Sequence, residues 1–254
     1  MIRRVAEFIE AVAADVEKWQ SPAGRVRPWF RGESGSGPPL RPQIAGYSKE
    51  QENYLLQSFR RKAGGIANTP PRDQTDMWLF LAQHYGVPTR LLDWTEGALL
   101  GLYFAVNRGT PNPRVYMLNP HRLNVLSGAH EADDLNFPLT WTNGGYENIA
   151  LAWEERAPTR GFVLPIAVPA TYQDHRMIAQ RSCFTVHGKA LEPLADLLMG
   201  RGVDLPDLLI EYHIDTDSTA RLTEELAILG VTASSIFPDL DHLAKDLSRE
   251  LGHP

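Results

Sequence analysis

The chain has 254 residues, 25 Lys and Arg, 31 Asp and Glu, and a formal net charge of −6. It is long enough for one large core or two small ones, and its net charge argues against nucleic-acid binding through bulk charge. A lone cysteine, Cys183, excludes an internal disulfide and a thiolate metal cluster.

Ile2, Val5, Ile9, Val12, Val16 and Trp19 recur at helical spacing, so an amphipathic helix over residues 1–20 is expected. Its early Glu7, Glu10 and Asp15, and the lack of an apolar signal core, point to a cytoplasmic protein. Arg27–Glu33 then reads as a short strand, stopped by the turn cluster Gly35-Ser36-Gly37-Pro38-Pro39. Gly32 and Gly37 have the spacing of a phosphate loop, but proline at 38 stands where lysine is required.

Glu50–Ala63 is expected to be helical, with Gly64-Gly65 as its stop. Asp76 is expected to cap the next helix, whose Trp78, Leu81, Ala82 and Tyr85 share a face, and Gly86 and Pro88 end it. An extended piece, Thr89–Thr95, follows, and Thr95 is expected to cap a helix carrying Leu99, Leu102, Tyr103 and Val106. That helix's apolar run is about half the ~20 residues a membrane span needs.

Further strands are expected at Val115–Leu118, Phe162–Val168, Cys183–His187 and Leu208–Ile214. Helices are expected at Glu147–Arg156, Leu191–Met199 and Thr219–Leu229, with a closing helix through Leu240, Leu243, Leu247 and Leu251. Residues 119–145 are mixed and turn-rich, a segment long enough to carry a functional loop. Strict β-α-β alternation is absent. The expectation is one α+β domain over residues 1–254, with a helical N-terminal half packed on a small mixed or antiparallel sheet.

Polar groups are concentrated between the two apolar helices: Gln83, His84, Thr89, Arg90, Asp93, Trp94 and Thr95. They either latch to one another or line a site. Arg31 and Arg90 are planar, permanently charged forks suited to phosphate or carboxylate. Arg90, three residues from Asp93, favours an internal ion pair. Arg31, beside Gly32, where backbone can approach a ligand closely, favours a site. His84 is either an acid–base group or a helix-terminal histidine. Tyr85 and Trp94 are core aromatics or stacking platforms, and Asp93 is the group expected to orient a neighbour. No HExxH, GxSxG or GxGxxG occurs, so no metal centre, serine elbow or dinucleotide fingerprint is indicated.

Trp29-Phe30-Arg31-Gly32, the block from Gln83 through His84-Tyr85-Gly86-Val87-Pro88-Thr89-Arg90-Leu91-Leu92-Asp93-Trp94 to Thr95, and Tyr103-Phe104-Ala105 resemble the FRG-domain family of bacterial and phage proteins. Ala179-Gln180-Arg181-Ser182-Cys183-Phe184-Thr185 and Ile236-Phe237-Pro238-Asp239-Leu240-Asp241 resemble its later blocks. Phe30-Arg31-Gly32 is also similar to the aromatic-Arg-Gly of ADP-ribosyltransferase folds, although no Ser-Thr-Ser and no Glu-x-Glu accompanies it.

That second resemblance implies an NAD-dependent transferase modifying a protein or nucleic acid, as a toxin or phage-defence effector with a neutralising partner. It casts Arg31 and Gly32 on the pyrophosphate, and His84 with Tyr85 or Thr89 on the nicotinamide ribose. Arg90, Asp93 and Trp94 join the binding set, and Glu33 or Gln180 supports the transition state. Two other readings compete: a nucleotide- or RNA-binding module without catalysis, and a metal-independent nuclease pairing His84 with His187.

Overall fold

The computed structural model describes residues 1–19, 26–35, 39–66, 69–71, 74–107, 109, 111–128, 163–170, 172 and 174–251. Its centre is one six-stranded sheet, in the order β4-β5-β2-β1-β3-β6, in which every neighbouring pair is antiparallel. The strands are β1 (Trp29–Glu33), β2 (Leu91–Thr95), β3 (Arg114–Leu118), β4 (Ile166–Pro169), β5 (Ser182–Val186) and β6 (Leu209–His213). The α+β architecture expected from the sequence is therefore present, with strands drawn from both halves of the chain. Pro165 immediately precedes β4, where a missing N–H breaks no ladder bond. The proposed helix at 147–156 lies outside the described residues.

Alternation along the strands builds a core on each face. Phe30, Val115 and Met117 join one cluster with Phe8 of α1 (Val5–Lys18), Leu102 of α4 (Ala98–Val106) and Leu222 of α8 (Thr219–Ile228). Their strand neighbours Trp29, Tyr116 and Leu118, with Leu92 and Trp94, point the other way, against Leu123 of α5 (Pro120–Leu126) and Leu194 and Leu198 of α7 (Leu194–Met199). A third cluster joins Leu79 and Phe80 of α3 (Thr75–His84) to Leu91, Phe184 and Val186, with Met177 of α6 (His175–Ala179). The remaining helices are α2 (Lys49–Ala63), α9 (Ala233–Ile236) and α10 (Leu240–Glu250).

Two capping expectations are corrected. Asp76 lies inside α3, whose N-cap is Gln74. Thr95 ends β2, and the N-cap of α4 is Gly97. Thr95 Oγ1 accepts from Gly97 N at 3.1 Å and donates to the Gln180 carbonyl at 2.7 Å. The hydroxyl thus ties the end of β2 to the segment entering β5.

The join between β1 and β2 positions the site. β1 pairs with β3 through five residues but with β2 only at Phe30↔Thr95. Past that pair the ladder stops, and Arg31 Nη1 donates to the Asp93 carbonyl at 2.7 Å. A side chain thereby satisfies a backbone acceptor where strand pairing has ended.

Candidate active site

A cleft of about 520 Å³ opens over this join. Its wall takes Arg31, Gly32 and Glu33 from β1, Asp93, Trp94 and Thr95 from β2, and His84 and Gln83 from the end of α3. Across from them stand Arg176, Met177 and Gln180 on and just after α6, with Phe104 of α4 and Phe237 following α9.

Arg31 is the anchored cation. Its Nε donates to Glu33 Oε1 at 2.6 Å, and its Nη1 lies 3.9 Å from Asp93 Oδ2. Both partners favour the charged form, so the guanidinium remains charged despite its desolvation. Glu33 also accepts from Leu40 N at 3.2 Å. Its carboxylate is therefore a brace for Arg31 and the Leu40 backbone, with both oxygens engaged.

Gly32 has a different cause from the one expected. A Cβ there would lie 2.1 Å from the Gly101 carbonyl oxygen and 2.4 Å from Ala105 N. A Cβ at Gly101 would in turn lie 2.8 Å from that of Phe30. The two glycines let α4 sit directly on β1, so Gly32 is fixed by helix packing.

His84 Nε2 lies 3.4 Å from Asp174 Oδ2. Partial burial holds its pKa below the ordinary histidine value against the opposing pull of Asp174, and Arg176 pushes the same way as burial. The ring is neutral at pH 7 and can accept a proton. Gln83 Nε2 donates to Asp93 Oδ2 at 2.7 Å, and Gln83 Oε1 accepts from Thr89 Oγ1 at 2.5 Å. Asp93 thus sits between Gln83 and Arg31. Gln180 Nε2 makes a 3.5 Å contact with the Ile236 carbonyl.

Three sequence candidates lie off the cleft lining, and a fourth, Trp94, borders it with its ring buried. Arg90 is bound to Glu52, at 2.5 Å from Nε and 2.7 Å from Nη2, and also donates to the Gly188 carbonyl. The expected latch exists, but Glu52 of α2 is its partner in place of Asp93, and Arg90 does not line the cleft. Thr89 is buried and holds Gln83 and Leu91 N. Tyr85 is exposed, makes an edge contact with the His84 ring and lies outside the cleft lining. Trp94 borders the cleft, but its indole is buried and donates to Thr185 Oγ1 at 3.0 Å, so it is no stacking platform. Phe104 and Phe237 are the other aromatic residues of the lining.

His187 is fully buried, off the cleft, with both ring nitrogens lacking a partner among the described residues. It is therefore no acid–base mate for His84. Cys183 is buried in the core, and burial pushes its thiol pKa well up, so it is an inert core group.

The residues that sequence reasoning missed are Asp174 and Arg176. Neither stands in a block with a recognisable pattern, and only folding brings α6 against the end of α3. Phe104 and Phe237 do stand in blocks that drew notice, and their aromatic character was the available signal.

Fold and cleft together describe an α+β protein with an arginine-braced polar cleft at the parting of two strands. Residues 27–113 match the sequence model of the FRG domain. The matched segment contains Arg31, His84 and Asp93, whereas Arg176, Gln180 and Phe237 lie beyond it. Neither the curated proteins nor the solved structures contain a match to this chain. Among the described residues no helix is long and apolar enough to cross a membrane.

Proposed function

We propose that the cleft binds NAD and that the protein transfers ADP-ribose from it to a macromolecular acceptor, acting as a toxin or phage-defence effector. The observation carrying this reading is convergence. Arg31, His84 and Gln180 come from three distant segments and line one cleft, with two aromatic rings beside them. A dinucleotide needs those features: a fixed cation for its pyrophosphate, an apolar ring such as Phe104 beside its bases, and polar groups at the ribose between them.

In the transfer, the bond between nicotinamide and the ribose C1″ breaks. Nicotinamide leaves with the bonding pair and becomes neutral. A lone pair on the acceptor then captures the oxocarbenium carbon, and the acceptor loses a proton. Arg31, held by Glu33 and the Asp93 carbonyl, is preorganised to receive phosphate without first reorienting. Neutral His84 takes the acceptor's proton. The Gln180 amide oxygen, without a partner among the described residues, is available to the developing positive charge.

A second reading is a nucleotide-binding module without catalysis. It is favoured by the engagement of Glu33, which leaves no unbraced glutamate among the described lining residues. Incubation with NAD and chromatographic measurement of free nicotinamide separates the two. Release by the wild type, lost in His84→Ala and Gln180→Ala, supports the transferase. Binding of ADP-ribose without nicotinamide release supports the module.

A further inference from the structure

Resting on the NAD reading, we infer that Arg176 is the second phosphate-binding residue of the cleft, and that Arg31 and Arg176 together select a ligand with two linked phosphates. Arg176 lines the cleft with Arg31. The two arginines differ in what already occupies them. Arg31 is committed on Nε to Glu33 and on Nη1 to a backbone carbonyl. For Arg176, no carboxylate among the described residues lies within ion-pair distance. Its guanidinium carbon instead lies 4.8 Å from the centroid of the Phe237 ring.

The ring contact holds that cation without taking a carboxylate from the described residues. An arginine over a ring face keeps its in-plane donors pointing outward, where an anion can take two at once. The ring beneath it is itself held. The His242 imidazole stacks on Phe237 at 4.5 Å between centroids and 19° between planes. The Phe237 ring thus contacts both the Arg176 cation and the His242 imidazole. His242 is tied by Nδ1 to both carboxylate oxygens of Asp239, at 2.7 and 2.9 Å. The His242 backbone N–H first, and its ring after it, hold the Asp239 carboxyl below the usual carboxylate range. Asp239, His242, Phe237 and Arg176 thus form a ladder running from the N-cap of α10 to the cleft. It gives a role to the late block from Ile236 to Asp241, which the rest of the site leaves without one.

A single phosphate needs only one of these arginines, and a pyrophosphate can engage both. Calorimetric titration of ADP-ribose and of AMP against wild type, Arg176→Met and Phe237→Leu tests this. Arg176 is exposed and without an ion pair among the described residues, so Arg176→Met should melt like wild type. ADP-ribose affinity should fall about ten- to a hundredfold in Arg176→Met, the range for a lost charge-assisted contact. It should fall less, in the same direction, in Phe237→Leu, while AMP affinity in Arg176→Met stays within about threefold of wild type. Unchanged ADP-ribose affinity in Arg176→Met overturns the assignment while leaving the NAD reading standing. Equal losses for both ligands overturn the two-phosphate span. A wild type that binds neither overturns the NAD reading, and this inference with it.

Discussion

Arg90 and Glu52 face each other across the α2–β2 boundary with two hydrogen bonds between guanidinium and carboxylate, and both side chains are largely shielded from solvent. A buried pair of this kind is costly to break from one side, because the survivor keeps its charge without a partner. Glu52→Gln should therefore destabilise the protein by roughly 3–5 kcal/mol and leave ADP-ribose affinity unchanged. Denaturant unfolding and titration of the same sample check both halves. Lost binding in a well-folded Glu52→Gln would bring Arg90 back to the site.

Gly32→Ala is a packing test. The added Cβ would press on backbone atoms of α4, which cannot turn aside as a side-chain end can. The expected cost is at least the ~1–3 kcal/mol of ordinary overpacking, read as a lowered denaturation midpoint. A midpoint equal to wild type would mean that α4 stands further from β1 than described.

Leu92 is buried with Trp94 and Cys183 in the cluster between the sheet and α7. Leu92→Ala should cost about 2–5 kcal/mol as a cavity mutant, with the slope of unfolding against urea unchanged. A loss below about 1 kcal/mol would place the leucine outside a close-packed core.

His187 supplies a pH prediction. Burial first, and the positive charges of Arg90 and Arg31 after it, push its pKa down to about 3. The folded value is depressed below the unfolded one of about 6.5. Stability is therefore complete above pH 6.5 and is lost as pH falls toward 3, because only the unfolded chain takes up the proton in that window. This one group contributes about 1.4 kcal/mol per pH unit there. Carboxylates titrate in the same range, so the measurement is the difference between wild type and His187→Phe in unfolding free energy at pH 7 and pH 5. A flatter profile in the variant is expected. Parallel profiles would mean that His187 meets solvent.

Much of the fold is legible because burial leaves a periodic trace. Each β-rich segment read from the sequence became a strand within a few residues, since alternating Val, Ile, Phe and Tyr can satisfy two core faces only as a pleat. Gly230 follows α8 with φ of 80°, the left-handed stop that glycine favours, whereas Gly64 and Gly200 cap their helices with right-handed φ of −61°. The cleft is less legible. Arg31, His84, Asp93 and Gln180 were marked by dense polarity or by family pattern. That Arg90 turns to Glu52, and that Arg176 faces Arg31's cleft, depends on where α2 and α6 dock. No local spacing encodes either. The packing demand on Gly32 is hidden for the same reason: its close neighbour is a helix some seventy residues later, and only the sheet's covering layer reveals it.

Titration of ADP-ribose against wild type and Arg31→Lys, with a melting curve on each, asks most directly whether Arg31 is a phosphate clamp. Lysine keeps a positive charge beside Glu33, so the carboxylate is not orphaned, but it cannot reproduce the planar two-point contact. The expected result is saturable binding to the wild type, a variant that melts within a few degrees of it, and affinity weakened by roughly 1.5–3 kcal/mol. Equal affinity in the two proteins, or no binding to either, would contradict a dinucleotide site built on Arg31.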